Sequence, residues 1–409
     1  MKVLHTSDWH IGRTLYGRKR YEEFEAFLNW LAETIQQEQV DALLVAGDIF
    51  DTSTPSNRAQ ELYYQFLGCV AASSCRHVVL IAGNHDSPSF LNAPRELLKA
   101  LHVHVIGSIP EKREDEVLLL RRADGSPELI VCAVPYLRDR DIRSAEAGES
   151  VEEKERKLVE GIRHHYAEVI ARAEQKRAEL GAELPIISMG HLFTAGGQTV
   201  DGDGVRELYV GSLAHLSSGI FPDNLDYLAL GHLHIPQRVN ASETMRYSGS
   251  PLPMGFGEAK DKKSLCLVEF NGIKPVVRLI QVPVFQRLER IKGSWKELSA
   301  RLLELSSAGS RAWLEIIYED DEVIGDLRER IDATLSGSEM EVLRVKNNRI
   351  IDRVLNQAHD NEVLNELNVN DVFERCLALH EVPKEQWPEL LRTYQETVIS
   401  LYEDDAEAE

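Results

Sequence analysis

Apolar residues in the first half of the chain come in short, unbroken runs bounded by polar turns, with amphipathic stretches between them. KVLH (2–5), ALLVAG (42–47) and HVVLIAG (77–83) are too short for helices and too continuous for half-exposed strands, so they are expected to be strands buried on both faces. Apolar spacing over about 19–39 and 57–72 predicts helices packed on them, and the alternation gives an α/β class with parallel pairing. The pattern changes over 116–134, where VLLLRR, the turn ADGSPE and LIVCAV form a hairpin. A long charged helical pattern over 150–180 leads into PIISMGH and then DYLALGHLH, and SLCLVEF and VVRLIQV flank Asn271-Gly272 as a second hairpin. The expected architecture is a sandwich of two facing β-sheets flanked by helices over residues 1–281.

Beyond Val282 the runs QRLERIKG, SWKELSARLLELSS, RAWLEIIYED, a helical stretch over 323–336 and EMEVLRVKN read as β-α-β-α-β, a small α/β domain over 282–350. Residues 351–409 read as C-terminal helices in which Trp387, Leu391, Tyr394, Val398 and Leu401 recur at helical spacing. That stripe either packs on its own domain or docks a partner. A chain of 409 residues exceeds one hydrophobic core, consistent with this division.

The polar residues that end the strands change the picture. The first strand delivers Asp8 and His10, ALLVAGDIFD delivers Asp48 and Asp51, and HVVLIAGNHD delivers Asn84, His85 and Asp86. PIISMGH ends in His191 and DYLALGHLH in His232 and His234. Sites of open α/β sheets form at this carboxyl edge. In four of the five clusters a glycine directly precedes the polar residue, as a sharp turn at a crowded edge requires. The donors are oxygens and imidazoles without a thiolate, which suits divalent manganese, iron or zinc. His102 and His104 form another H-x-H, but no glycine turn precedes them and alternation puts both on one solvent-facing side. His5 is expected to be a packed core residue, and His164, His165 and His215 surface residues. The five cysteines are scattered and odd in number, so neither a disulfide framework nor a zinc ribbon follows.

The order D-x-H, GDxxD, GNHD, GH, GHxH resembles that of the calcineurin-like metallophosphoesterases. The wording LHTSDWHIG, VAGDIFDTSTPS, AGNHDS, ALGHLH and YSGSPLP is similar, within them, to the bacterial SbcD-type nuclease subunits. The resemblance implies a metallophosphoesterase fold. It implies one metal on Asp8, His10, Asp48 and His234, and a second on Asp48, Asn84, His191 and His232, with Asp48 bridging through its two oxygens. His85 would be the catalytic imidazole. Asp51, where archaeal and eukaryotic relatives carry histidine, and Asp86 are candidates for orienting ligands, and a turn cap is the other reading of Asp86. The implied cofactors are two divalent ions, Mn2+ first among them. The implied activity is hydrolysis of double-stranded, hairpin and single-stranded DNA in repair, recombination and replication. The small domain would be a capping domain, and the C-terminal helices would grip an SbcC-type coiled-coil ATPase within a heterotetramer built on a homodimer. A general small-nucleotide phosphodiesterase and a non-catalytic DNA-end-binding scaffold are the competing readings.

A formal charge of -21 argues against broad attraction to nucleic acid, although bound cations reverse the potential locally. Part of the excess lies in the terminal YEDDAEAE. Arg13, Arg18, Lys19 and Arg20 follow the first motif and either meet a DNA backbone or begin a solvated helix. No apolar run reaches the roughly 18 residues of a membrane span and the first residues lack a signal peptide's order, so a cytoplasmic location is expected. No G-x-x-x-x-G-K-[ST] occurs, so ATP use would have to come from the partner.

Overall fold

The computed structural model describes residues 1–143, 149–193, 220–222, 224–320 and 324–347, together with Phe373, Leu377, Trp387, Leu390, Leu391 and Tyr394. The chain divides into two compact units, Met1–Phe285 and Gln286–Glu409.

Two six-stranded sheets form the first unit. In the first, the order is Lys274–Gln281, Ser264–Asn271, Lys2–Thr6, Ala42–Ala46, His77–Ile81 and Val103–Ile106. The last four strands run parallel, and the hairpin Ser264–Gln281 adds antiparallel to Lys2–Thr6. The second sheet orders Gln237–Arg238, Met245–Tyr247, Tyr227–Gly231, Ile186–His191, Pro127–Ala133 and Val117–Arg121, with parallel pairing among its four inner strands.

Side-chain alternation decides what each face meets. Ala42, Leu44 and Ala46 point between the sheets, where Val79, Ile81, Val131, Ala133, Ile187, Met189 and Ala229 close the middle core. Leu43 and Val45 point outward to the helices Tyr21–Glu38 and Asn57–Ala71, burying Phe24, Phe27, Leu31, Leu62 and Phe66. On the far side the helix Val151–Leu180, started by the Ser150 and Glu153 capping box, packs Ile162, Tyr166, Val169, Ile170 and Ala173 on the second sheet.

Three expectations change. His165 is buried and hydrogen-bonds Glu116 at 3.0 Å, because 162, 165, 166 and 169 share one helical face despite the charged sequence around them. His102 precedes its strand in a left-handed turn (φ 56°) and is exposed, whereas His104 sits between buried Val103 and Val105 and is half-buried, so the two do not share a solvent face. Burial, with His77 nearby, lowers the His104 pKa to about 4. Arg20 is buried against Glu23 through two hydrogen bonds of 2.8 and 3.0 Å, which removes it from any nucleic-acid surface.

In the second unit Leu288–Gly293, Trp313–Tyr318 and Glu341–Asn347 form a parallel sheet in that order. Helices Trp295–Ser307 and Leu327–Leu335 bury Leu298, Leu302 and Ile331 against Leu314, Ile316 and Tyr318. Trp387, Leu391 and Tyr394 are helical, and the Tyr394 ring stacks on Phe373 at 4.0 Å. Val398, Leu401, His215, Cys376 and the segment AGGQTVDGDG lie outside the described residues. Cys69 is exposed, Cys75, Cys132 and Cys266 are buried, and all four are free. Among the described residues no helix is long and apolar enough to cross a membrane.

His5 is a fully buried core residue. Its Nε2 donates to the Leu230 carbonyl at 3.2 Å, and its Nδ1 accepts from the Tyr227 hydroxyl at 3.0 Å. Burial pushes its pKa down to about 3 against the Leu230 hydrogen bond. The unfolded chain therefore gains a proton between pH 6.5 and 3 that the folded chain refuses, and stability falls as pH falls through that window. Guanidinium melts in chelator at pH 7 and pH 5 should show a stability difference about 2 kcal/mol smaller in His5→Gln than in the unmodified chain. An unchanged difference would rule out a neutral His5.

Candidate metal centre

Five strand ends from both sheets meet at one edge, and their loops are locked together before any side chain is considered. The Asp8 N–H donates to the Gly47 carbonyl and the His10 N–H to the Asp48 carbonyl, each at 3.0 Å. Asp86 accepts from the N–H groups of Ile49, Phe50 and Gly83 at 3.1, 3.0 and 2.8 Å, tying the second loop to the third. Burial and the nearby Asp48 raise its pKa to about 6 against the pull of those donors. Asp86 is thus a clamp between the loops that carry Asp48 and Asn84.

The backbone is strained where the donors are. Asp8, His10, Asp48 and His232 have φ of 53°, 48°, 50° and 102°, a region costly for residues with a Cβ. At Gly83 and Gly231 the requirement is space and not φ. A Cβ on Gly83 would lie 2.1 Å from Asp48 Oδ1, and one on Gly231 1.9 Å from the Ala46 carbonyl oxygen.

Two sets of donors converge, and Asp48 lies between them. Asp8, His10 and His234 present ligand atoms within 4.8 Å of one another, as do Asp48, His191 and His232. In the first set the Nε2 atoms of His10 and His234 are 3.2 Å apart. In the second, Asn84 Oδ1 lies 3.0 Å from both His191 Nε2 and His232 Nδ1. Asp48 Oδ1 accepts the His85 N–H at 2.9 Å, which leaves Oδ2 to face His10 Nε2 at 3.5 Å and His191 Nε2 at 3.3 Å. Oδ2 of Asp48 thus faces both sets.

The donors fit divalent cations. They are oxygens and imidazole nitrogens, buried except at half-buried Asn84 and His232, and among the described residues neither Asp8 nor Asp48 pairs with a lysine or arginine. Although burial opposes its charge, Asp48 stays well below the usual carboxylate range because His191, His10 and His85 face it. His191 is raised to about 9 by Asp48, against its own burial. For Asp8 burial prevails over the surrounding histidines and raises the pKa.

His85 stands beside the first set, its ring 4.8 Å from that of His10, and its Nδ1 donates to the Asp51 carbonyl at 2.8 Å. The Asp51 carboxylate lies 3.2 Å from His10 Nδ1 and 3.1 Å from Arg13 Nη1. Burial opposes ionisation of Asp51, but His10 and Arg13 bring its pKa down to about 2. All the residues named from the strand ends are thus within one centre.

Motif reading missed a layer behind them. Ser7 and Ser248 join at 2.7 Å, and the Ser7 hydroxyl donates to Asp8. Lys263 Nζ, buried, donates to the His234 carbonyl at 2.9 Å and pairs with buried Glu258. Ser248 and Ser250 lie in YSGSP, part of the wording that carries the resemblance, but Glu258 and Lys263 carry no signal in FGEAKDKKS beyond charge.

A family model described as calcineurin-like phosphoesterase matches residues 1–236, and one described as type 5 capsule protein repressor C-terminal domain matches 284–381. The SbcD chain of the SbcCD nuclease from Escherichia coli strain K12 is 37% identical over 404 residues, covering 98% of each chain. This chain belongs to the SbcD family of calcineurin-like phosphoesterases. SbcD relatives of the same description in Rhodobacter capsulatus and Bacillus subtilis are 39% and 34% identical over 278 and 271 residues, 66% of this chain in both cases and 67% and 66% of those chains. The SbcD-family chain is a metal-dependent hydrolase of the nuclease class.

Gly83→Ala should displace Asp48, cost about 1–3 kcal/mol of stability and abolish divalent-cation binding. Gly68→Ala, in the helix Asn57–Ala71 where a Cβ meets nothing within 4 Å, should leave cation binding unchanged and raise stability by about 0.5–1 kcal/mol. Thermal melts in chelator and calorimetric Mn2+ titration of both variants check this.

Proposed function

We propose that this chain is a two-metal DNA nuclease in which Asp8, His10, Asp48 and His234 hold one ion and Asp48, Asn84, His191 and His232 the other, with His85 as the catalytic imidazole. The observation that carries the reading is the position of Asp48 Oδ2, 3.5 Å from His10 Nε2 and 3.3 Å from His191 Nε2. Bound there, two divalent ions, Mn2+ first among them, supply a water acidified toward neutrality and positive charge for the phosphate oxygens.

The chain's own residues do the rest. Asn84 is neutral, so it adds a donor without adding negative charge against an anionic phosphodiester. The Asp51 carbonyl fixes a proton of His85 on Nδ1, which leaves Nε2 as the nitrogen that would face the substrate. When protonated there, His85 gives its proton to the departing sugar oxygen as the bond to phosphorus breaks. Asp51 and Asp86 orient the ligand loops through the contacts above. Arg18 and Lys19, exposed on the short ribbon after His10, would meet a DNA backbone.

The substrate reading extends to double-stranded, hairpin and single-stranded DNA in repair, recombination and replication. Residues 282–350 act as a capping domain, and 351–409 engage an SbcC-type coiled-coil ATPase in a cytoplasmic heterotetramer built on a homodimer. What supports the partner is the SbcCD complex in the relatives' name and the lack of a phosphate-binding loop for ATP in this sequence.

His85→Ala should keep its Mn2+ and lose about 10²–10⁴-fold in turnover on end-blocked and hairpin duplexes, with and without the ATPase. Normal rates in the purified variant would remove His85 from the mechanism. Cleavage of a small chromogenic diester but no DNA would replace the nuclease reading with that of a small-nucleotide phosphodiesterase.

A further inference from the structure

The two donor sets differ in what stands behind their imidazoles. In the set of Asp8, His10 and His234, each histidine has a carboxylate at its far nitrogen. Asp51 Oδ1 lies 3.2 Å from His10 Nδ1, and Glu258 Oε1 lies 3.4 Å from His234 Nδ1. In the other set His191 Nδ1 donates to the backbone carbonyl of Ala46 at 2.9 Å. His232 turns Nδ1 toward Asn84, and no carboxylate pairs with it among the described residues.

The two carboxylates belong to one closed circuit. Each is held by its own cation, Asp51 by Arg13 at 3.1 Å and Glu258 by Lys263. Met254 joins the halves, because its carbonyl accepts from Arg13 Nε at 3.3 Å and its N–H donates to Glu258 Oε2 at 3.2 Å. Lys263 also donates to the His234 carbonyl, so His234 is gripped at ring and backbone together. Glu258 is 0% exposed and Lys263 4%. A buried ion pair contributes less to stability than an apolar pair of the same volume, so packing alone does not account for it. A carboxylate on the far nitrogen of a ligand imidazole fixes its tautomer and strengthens it as a donor, and Asp51 and Glu258 stand within ion-pair distance of those nitrogens, positioned for that role.

We propose that Glu258 and Asp51 are positioning residues that make the two metal positions unequal, so that the one formed by Asp8, His10 and His234 fills first and more tightly. The inference rests on the two-metal reading above. The cations matter as much as the carboxylates, since Arg13 and Lys263 keep each carboxylate in place and offset its charge. The circuit thus strengthens the donors without adding net charge to a centre that already contains Asp8 and Asp48.

The test is calorimetric titration of the full chain with Mn2+ at fixed pH, with electron paramagnetic resonance to count bound ions. The unmodified chain should bind two ions in steps at least about tenfold apart. The double variant Glu258→Gln with Lys263→Met removes the buried pair without stranding either charge. It should weaken the tighter step about 10–100-fold and leave the weaker one within about twofold. Asp51→Asn should give the same pattern and carries the test alone if the double variant does not fold. Asn84→Ala should do the reverse and weaken the second step. Melting temperatures in chelator show that each variant is folded. Two equal steps in the unmodified chain, or a tight step untouched in the folded variants, would overturn this proposal while the two-metal reading stands. No divalent binding by the unmodified chain would overturn both.

Discussion

Asp48 sits where the ends of two facing sheets converge, and the need to bring one of its oxygens between two sets of histidines organises everything around it. One oxygen is taken by the His85 N–H, so the other is aimed without freedom. That aim requires Gly83 to lie so close that no Cβ fits, and the Gly47 turn (φ 86°) to deliver Asp48 in a left-handed conformation. The clamp of Asp86 on three backbone N–H groups holds both loops to it.

Such an arrangement opposes folding locally. Four strained non-glycine residues cost on the order of 1 kcal/mol each, and buried carboxylates lose hydration as well. The middle core offsets this. Strands buried on both faces, with Leu44, Val79, Ile81, Ile187 and Met189 between the sheets, make the two edges a single rigid rim. A centre built from strand ends is therefore more accurately placed than one built on free loops, and five separate segments share a geometry that none could hold alone.

Charge follows the same logic. The chain as a whole is strongly acidic, yet the carboxylates aimed into the centre have histidines for neighbours, while those one layer out, Asp51 and Glu258, have Arg13 and Lys263. The acidic balance of the sequence thus says little about the field at the centre, which the cations it is built to hold would dominate.

By itself the sequence determined the strands, the long helices, the hairpins and the polar residues at the strand ends, because these follow from local apolar period and from glycine next to a polar residue. Asp48, Asn84 and His191, each directly after a glycine, and Asp8, at the end of the first apolar run, were legible for that reason. Tertiary structure alone decided the placing of Asp48 Oδ2 between two sets of donors, the burial of His165 and Arg20, and the contacts of Glu258 and Lys263 behind His234. These depend on contacts between separate segments of the chain or on the face a helix turns to the core, and charge in a local stretch of sequence carries no record of either.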